Sequence, residues 1–125
     1  MKTFSLTDPT HHQRLEGGLV FVLSILLFWQ AGGPWWLYLV LLFVPDLAML
    51  GYRSNAQTGA AVYNAFHNYL LPVALAVAGW LAAVDGLLWF GLVWCGHIGL
   101  DRALGYGLKL PTAFQDTHLG RIGRS

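Results

Sequence analysis

The chain has 125 residues, 56% of them hydrophobic and only 10% charged, with a formal net charge of +1 and a mean hydropathy of +0.53. A water-soluble domain carries about 25% charged residues, so the composition excludes an ordinary soluble fold, and the near-neutral charge leaves no electrostatic footprint for nucleic acid. The single cysteine, Cys95, excludes an intrachain disulfide and a Cys-rich metal site, and in its apolar segment it reads as a small packing residue.

In chain order, a polar stretch with Asp8, His11, His12 and Glu16 precedes the first apolar run, and no cleavable signal peptide is apparent. His11 and His12 read as solvated. The first apolar run, 15–31, is stopped by Gly32-Gly33-Pro34. The second covers 35–52 and opens on Trp35-Trp36; the third covers 58–83; the fourth covers 86–108. Each is near the length that crosses about 30 Å of hydrocarbon at 1.5 Å per residue. The links between them are short, which makes successive helices antiparallel neighbours. The expected fold is all-α: a single domain, 1–125, forming a polytopic up-down bundle of four transmembrane helices with a tail from 109. Glycines in the fourth run (Gly91, Gly96, Gly99 and Gly105) predict close helix approach.

Under this topology Lys2, Arg14, Arg53, Arg102, Lys109, Arg121 and Arg124 all fall on one side. The positive-inside rule puts both termini in the cytoplasm of a multi-pass inner-membrane protein. Lipids are then the expected partners, with a homo-oligomer open and nucleic acid excluded.

The ionisable groups inside the runs gather at one depth. Asp46 lies about 10 Å from the cytoplasmic end of its run, His67 about 13 Å, Asp101 about 12 Å and His97 about 18 Å, at 1.5 Å per residue. Glu16 sits at the cytoplasmic start of the first run, and the outer half holds no charge and little polarity beyond Ser24. Intramembrane ionisable residues are functional candidates by default. Pro45 and Pro72 predict local helix breaks beside Asp46 and His67, which suits a cavity. Tyr63, Asn64, His67 and Asn68 form a polar stripe at helical spacing.

Two imidazoles and two carboxylates from three of the runs suit one divalent metal, zinc, iron or manganese, held by Asp46, His67, His97 and Asp101. Glu16 is then the candidate base, and Tyr52, Asn64, Arg102 and His118 are candidate supporting or substrate-contacting groups. The chemistry that follows is metal-dependent hydrolysis of a lipid-like or other membrane-proximal substrate, although enzymatic activity itself is undecided from sequence. Two other classes stay open: a proton or ion relay, and a non-catalytic scaffold whose acids pair with Arg53 or Arg102 and whose polar core fixes helix register. Axial haem ligation by two histidines is disfavoured, because the acids would crowd a macrocycle. The tail either docks through Phe114 and Leu119, bringing Asp116 or His118 over the mouth, or stays disordered.

The stretches PDLAMLGY (45–52), VYNAFHNYLLP (62–72), HIGLDRALGYGLK (97–109) and FQDTHLG (114–120), with RLEG (14–17), resemble the small bacterial integral-membrane family catalogued as domain of unknown function 4260. The resemblance covers about residues 13–122 and implies no particular activity. Its recurrent positions match Glu16, Asp46, Tyr52, Asn64, His67, His97, Asp101, Arg102, Tyr106, Lys109, Thr117 and His118 here. A looser similarity to bacterial membrane-bound metal-dependent hydrolases rests only on scattered His and Asp.

Overall fold

Asp8 starts the first helix. Its side chain accepts from the Thr10 N–H at 2.9 Å and Pro9 occupies the first helical position, so α1 runs Pro9–Gln30 and begins before the apolar run does. The computed structural model describes residues 4–122; Lys2 and Arg124, used above for orientation, lie outside the described residues.

The second apolar run is not one α-helix. α2 spans Trp35–Leu42, and a 3₁₀ helix continues over Val44–Arg53. Pro45 has no N–H and its ring clashes with the carbonyl four residues back, so the regular α-helix ends before it. Trp35–Arg53 has a mean hydropathy of 1.5 and is, among the described residues, the one helical stretch long and apolar enough to cross a membrane.

The third run, expected as one helix over 58–83, is also broken. α3 spans Ala56–Phe66, capped by Asn55 accepting from the Thr58 N–H at 2.7 Å; α4 spans Leu70–Leu81. The break falls over residues 67–69, because the ring of Pro72 opposes the carbonyl of Asn68 one turn back. Asn68 bridges the gap: its amide donates to the Asn64 carbonyl at 2.7 Å and its oxygen accepts from the Leu70 N–H at 3.0 Å.

α5 spans Asp85–Ala103 and stops short of the expected 108. Gly105 takes φ 88°, Tyr106 N–H donates to Asp101 O at 2.7 Å, and Gly105 N–H donates to Arg102 O at 3.0 Å. These two bonds form a Schellman cap, which only a left-handed residue at Gly105 allows. Gly105 therefore turns the chain and makes no helix–helix contact of the kind expected from the sequence. The tail closes into a small hairpin, β1 (Asp116–Thr117) and β2 (Gly120–Arg121), with Lys109 bridging antiparallel to Thr117.

α5 is the central helix, with α1, α2 and α4 packed against it. Arg14 Nε donates to Ala103 O at 3.0 Å at one end, and Trp89 Nε1 donates to Ala31 O at 3.1 Å at the other, so α1 and α5 are antiparallel. A side chain at Gly99 would meet the Gly17 carbonyl at 2.5 Å, and one at Gly96 would collide with Ser24 and Tyr38, so the glycines set this approach. Phe28, Tyr38, Leu42 and Val93 form the apolar core. The 3₁₀ helix and α3 pack chiefly on each other and touch α5 along a thinner seam.

Candidate metal centre

His67 is the C-cap of α3, the first residue of the proline break. Its Nδ1 lies 2.8 Å from the Tyr63 carbonyl. A carbonyl only accepts, so Nδ1 carries the proton and the Nε2 lone pair points away, toward α5. Tyr63 stacks on the same imidazole with ring centroids 3.6 Å apart, which fixes the ring plane. The side chain of His67 is completely buried.

His97 and Asp101 are one turn apart on α5 and share a face. Asp46 enters from the first turn of the 3₁₀ helix. His67 Nε2 lies 3.1 Å from His97 Nε2, 3.5 Å from Asp46 Oδ1 and 3.7 Å from Asp101 Oδ2. His97 Nε2 lies 3.2 Å from each carboxylate oxygen. All four potential ligand atoms fall within 4.8 Å of one another. Asp101 Oδ2, although close to both rings, is buried and accepts no hydrogen bond.

This arrangement has more acceptors than protons. A neutral His97 offers at most one ring N–H to three surrounding acceptors, and an ionised carboxylate offers none. A divalent cation satisfies all four at once. Donors about 2.0–2.1 Å from a tetrahedral ion stand about 3.3 Å apart, and the separations that involve an imidazole nitrogen bracket that figure from 3.1 to 3.7 Å. Two imidazoles and two carboxylates also match the donor preferences of zinc, iron and manganese. Asp46, 36% exposed at its side chain, is the ligand that faces outward.

The other sequence candidates take different places. Arg102 is buried; it donates to the His67 carbonyl at 2.9 Å and to the Tyr106 carbonyl at 3.1 Å, so it fastens the end of α3 and the turn after α5. Asn64 clasps the backbone of Lys109, donating to its carbonyl at 2.8 Å and accepting from its N–H at 2.6 Å. Tyr52 packs edge-on against Phe114, and its buried hydroxyl has no hydrogen-bond partner. His118 accepts from the Leu108 N–H at 2.7 Å and faces Gln13 Oε1 at 2.9 Å, so it ties the tail to α1 outside the cluster. Glu16 is exposed on α1 and is not one of the four clustered residues. Among the described residues, the ion-pair partners of Asp46 and Asp101 are the two histidines, not Arg53 or Arg102.

Trp94 and Tyr38 escaped the sequence reading, and Lys109 entered it only as one of the basic residues and a recurrent position of the resembled family. Lys109 is buried, its ammonium 3.9 Å from the Phe114 ring and 4.8 Å from the Tyr63 ring. Trp94 Nε1 donates to the Phe66 carbonyl at 2.6 Å, covering another end of α3. Tyr38 pairs its hydroxyl with Ser24 at 2.6 Å. Trp94 stands one turn before His97, a spacing that was visible; the turn at Gly105 that brings Lys109 back was not. A groove of about 640 Å³ between the N-terminal residues and Ala103 touches none of the four clustered residues.

A family model described as Domain of unknown function (DUF4260) matches residues 10–122. No curated protein and no solved structure matches the chain.

Proposed function

The chain belongs to the DUF4260 family, whose description states no activity, and from the geometry of its site we propose that it is a multi-pass membrane protein holding one divalent metal at Asp46, His67, His97 and Asp101. The observation that carries the proposal is the convergence of four acceptor atoms within 4.8 Å, with the buried Asp101 Oδ2 otherwise unsatisfied. The residues fit the metal in type, number and spacing.

The membrane reading rests on the surface. Leu19, Val22, Leu26, Trp36, Leu39 and Val40 are more than half exposed along α1 and α2, and Leu70, Leu71 and Leu81 along α4. Large apolar side chains this exposed on three helices are what a lipid-facing surface presents. α1 and α5 are about 33 and 28 Å long at 1.5 Å per residue, and α2 with the 3₁₀ helix reaches about 32 Å. The orientation with both termini in the cytoplasm follows from the basic residues. A vesicle labelling test decides it. In a Cys95→Ser background, Ser54→Cys should react only from the cytoplasmic side and Asp85→Cys only from the opposite side. Labelling of both from one side would end the four-span topology.

With a fifth coordination position open beside these four donors, the metal would act as a Lewis acid and lower the pKa of a coordinated water. The protein's part is to orient the donors: Tyr63 sets the His67 tautomer, and Arg102 anchors the carbonyl at the helix break. Hydrolysis at the inner face of the membrane is the reaction class this supports best. Glu16 lies outside the cluster, and its role as base is tested by Glu16→Gln. A transmembrane relay would need a polar route through the apolar half, where the Ser24–Tyr38 hydroxyl pair is one short polar contact.

The test is metal analysis of protein purified without added metal. One equivalent is expected, with affinity falling about a hundredfold or more in His67→Ala and His97→Ala, beyond the 10- to 100-fold of an outer-shell change. A folded protein that binds no zinc, iron or manganese would refute the proposal.

A further inference from the structure

Two buried cations border the cluster, and neither is neutralised by a carboxylate ion pair among the described residues. Arg102 uses its guanidinium on backbone carbonyls. The Lys109 ammonium is caged by Phe114 and by Tyr63, the ring stacked on His67; burial lowers its pKa, and the nearby charges of Asp101 and Asp46 act the other way, favouring the ammonium. Phe114 also carries Tyr52, whose hydroxyl is unpartnered.

The charges of these groups can be counted. Asp46 and Asp101 contribute two negative charges, and Arg102 and Lys109 two positive. With neutral histidines, a bound divalent ion leaves an excess of two positive charges in a largely apolar setting. Uncompensated buried charge is costly. The ligand that removes the excess is a dianion, which a phosphoryl monoester supplies and a carboxylate does not.

A groove of about 360 Å³ is lined by chain neighbours of the clustered residues, none of the four itself lining it. Pro45, Phe66 and Trp94 line it, and they are respectively the chain neighbours of Asp46 and His67 and the residue one turn before His97. The rest of its lining, including Leu47 and Phe90, is apolar, and Leu47 and Phe66 open it to the protein surface. Asp46, the outward-facing ligand, stands next to it in the chain.

We propose that the metal-loaded site takes the dianionic phosphoryl group of a single-chain amphiphile, with the apolar chain lying in this groove. The inference rests on the metal reading, and the experiment separates the two.

The full-length protein in non-ionic maltoside micelles is first titrated with Co²⁺, whose visible absorption reports coordination. Absence of cobalt binding overturns the metal reading before any anion is added, and the inference with it. The cobalt-loaded protein is then titrated with dodecyl phosphate, inorganic phosphate and dodecyltrimethylammonium, with calorimetry run in parallel on loaded and metal-free protein. The expected result is binding of dodecyl phosphate at least tenfold tighter than inorganic phosphate, at least tenfold weaker without metal, and none for the cationic amphiphile. Lys109→Gln should weaken both anions about tenfold and Lys109→Arg should restore them. Leu47→Trp should weaken dodecyl phosphate alone. Cobalt bound with no response to either anion, or equal anion affinity with and without metal, overturns the inference and leaves the metal site standing. Equal affinity for the two phosphates identifies free phosphate as the ligand and overturns the amphiphile assignment. The comparison of loaded with metal-free wild type holds even if a Lys109 variant fails to fold.

Discussion

Asp101 shows how one atom carries two opposed consequences. Its Oδ2 is buried, close to two imidazoles, and without a hydrogen bond. An unsatisfied buried acceptor destabilises by about 1–3 kcal/mol. Asp101→Asn keeps the shape, removes the charge and adds donors that can face Asp46 and His97. The metal-free variant should therefore unfold later than metal-free wild type, by about 1 kcal/mol, while its metal affinity falls about a hundredfold. Thermal unfolding with and without chelator reads both effects, and equal changes in the two conditions would remove Asp101 from the ligand set. At this scale much of the site was legible. His97 and Asp101 share a face by arithmetic alone, and equal depth selected Asp46 and His67. What hid was orientation. Arg102 looked suited to a substrate oxyanion, yet a broken helix offers bare carbonyls at shorter range, and its guanidinium goes to them.

At the level of elements, the prolines were readable and the extent of their effect was not. Pro72 ends α3 a full turn upstream, and that break is what frees His67 to turn toward α5. The end of α5 was misplaced because its apolar pattern runs past Gly105, while the Schellman cap depends on backbone geometry. Close packing at Gly99 predicts that Gly99→Ala costs about 1–3 kcal/mol by overpacking, seen as a lower unfolding midpoint, whereas Gly86→Ala, with open space around it, should change little. The tail is held partly by His118. Partial burial and then the nearby charge of Arg102 lower its pKa from the usual 6.5. A depressed folded-state value means the undocked tail binds the proton more readily, so docking is complete above about pH 6.5 and weakens as pH falls below it. Protonation also removes the acceptor for the Leu108 N–H. Hydrogen exchange at Leu108 should accelerate about tenfold between pH 7 and 5 after correction for intrinsic rates, and His118→Ala should abolish that pH dependence. Exchange that follows the intrinsic rate alone would remove His118 as the fastening.

Across the whole molecule, the helices divide into two unequal leaves. One is α5 with α1, α2 and α4; the other is the 3₁₀ helix with α3, to which Asn64 fastens the tail. The seam between them is crossed mainly by polar links: the His67–His97 and Asp46–His97 contacts, Arg102 to the His67 carbonyl, and Trp94 to the Phe66 carbonyl. Beside the Phe66–Trp94 ring stack these links are polar, so an ion at their centre would act as a rivet between two plates. Chelation should then let the smaller plate swing while the larger keeps its glycine-packed helices. Protease sensitivity should appear first near Ser54, long before global melting, and the aperture so created is the same one a long-chain guest would need in order to enter.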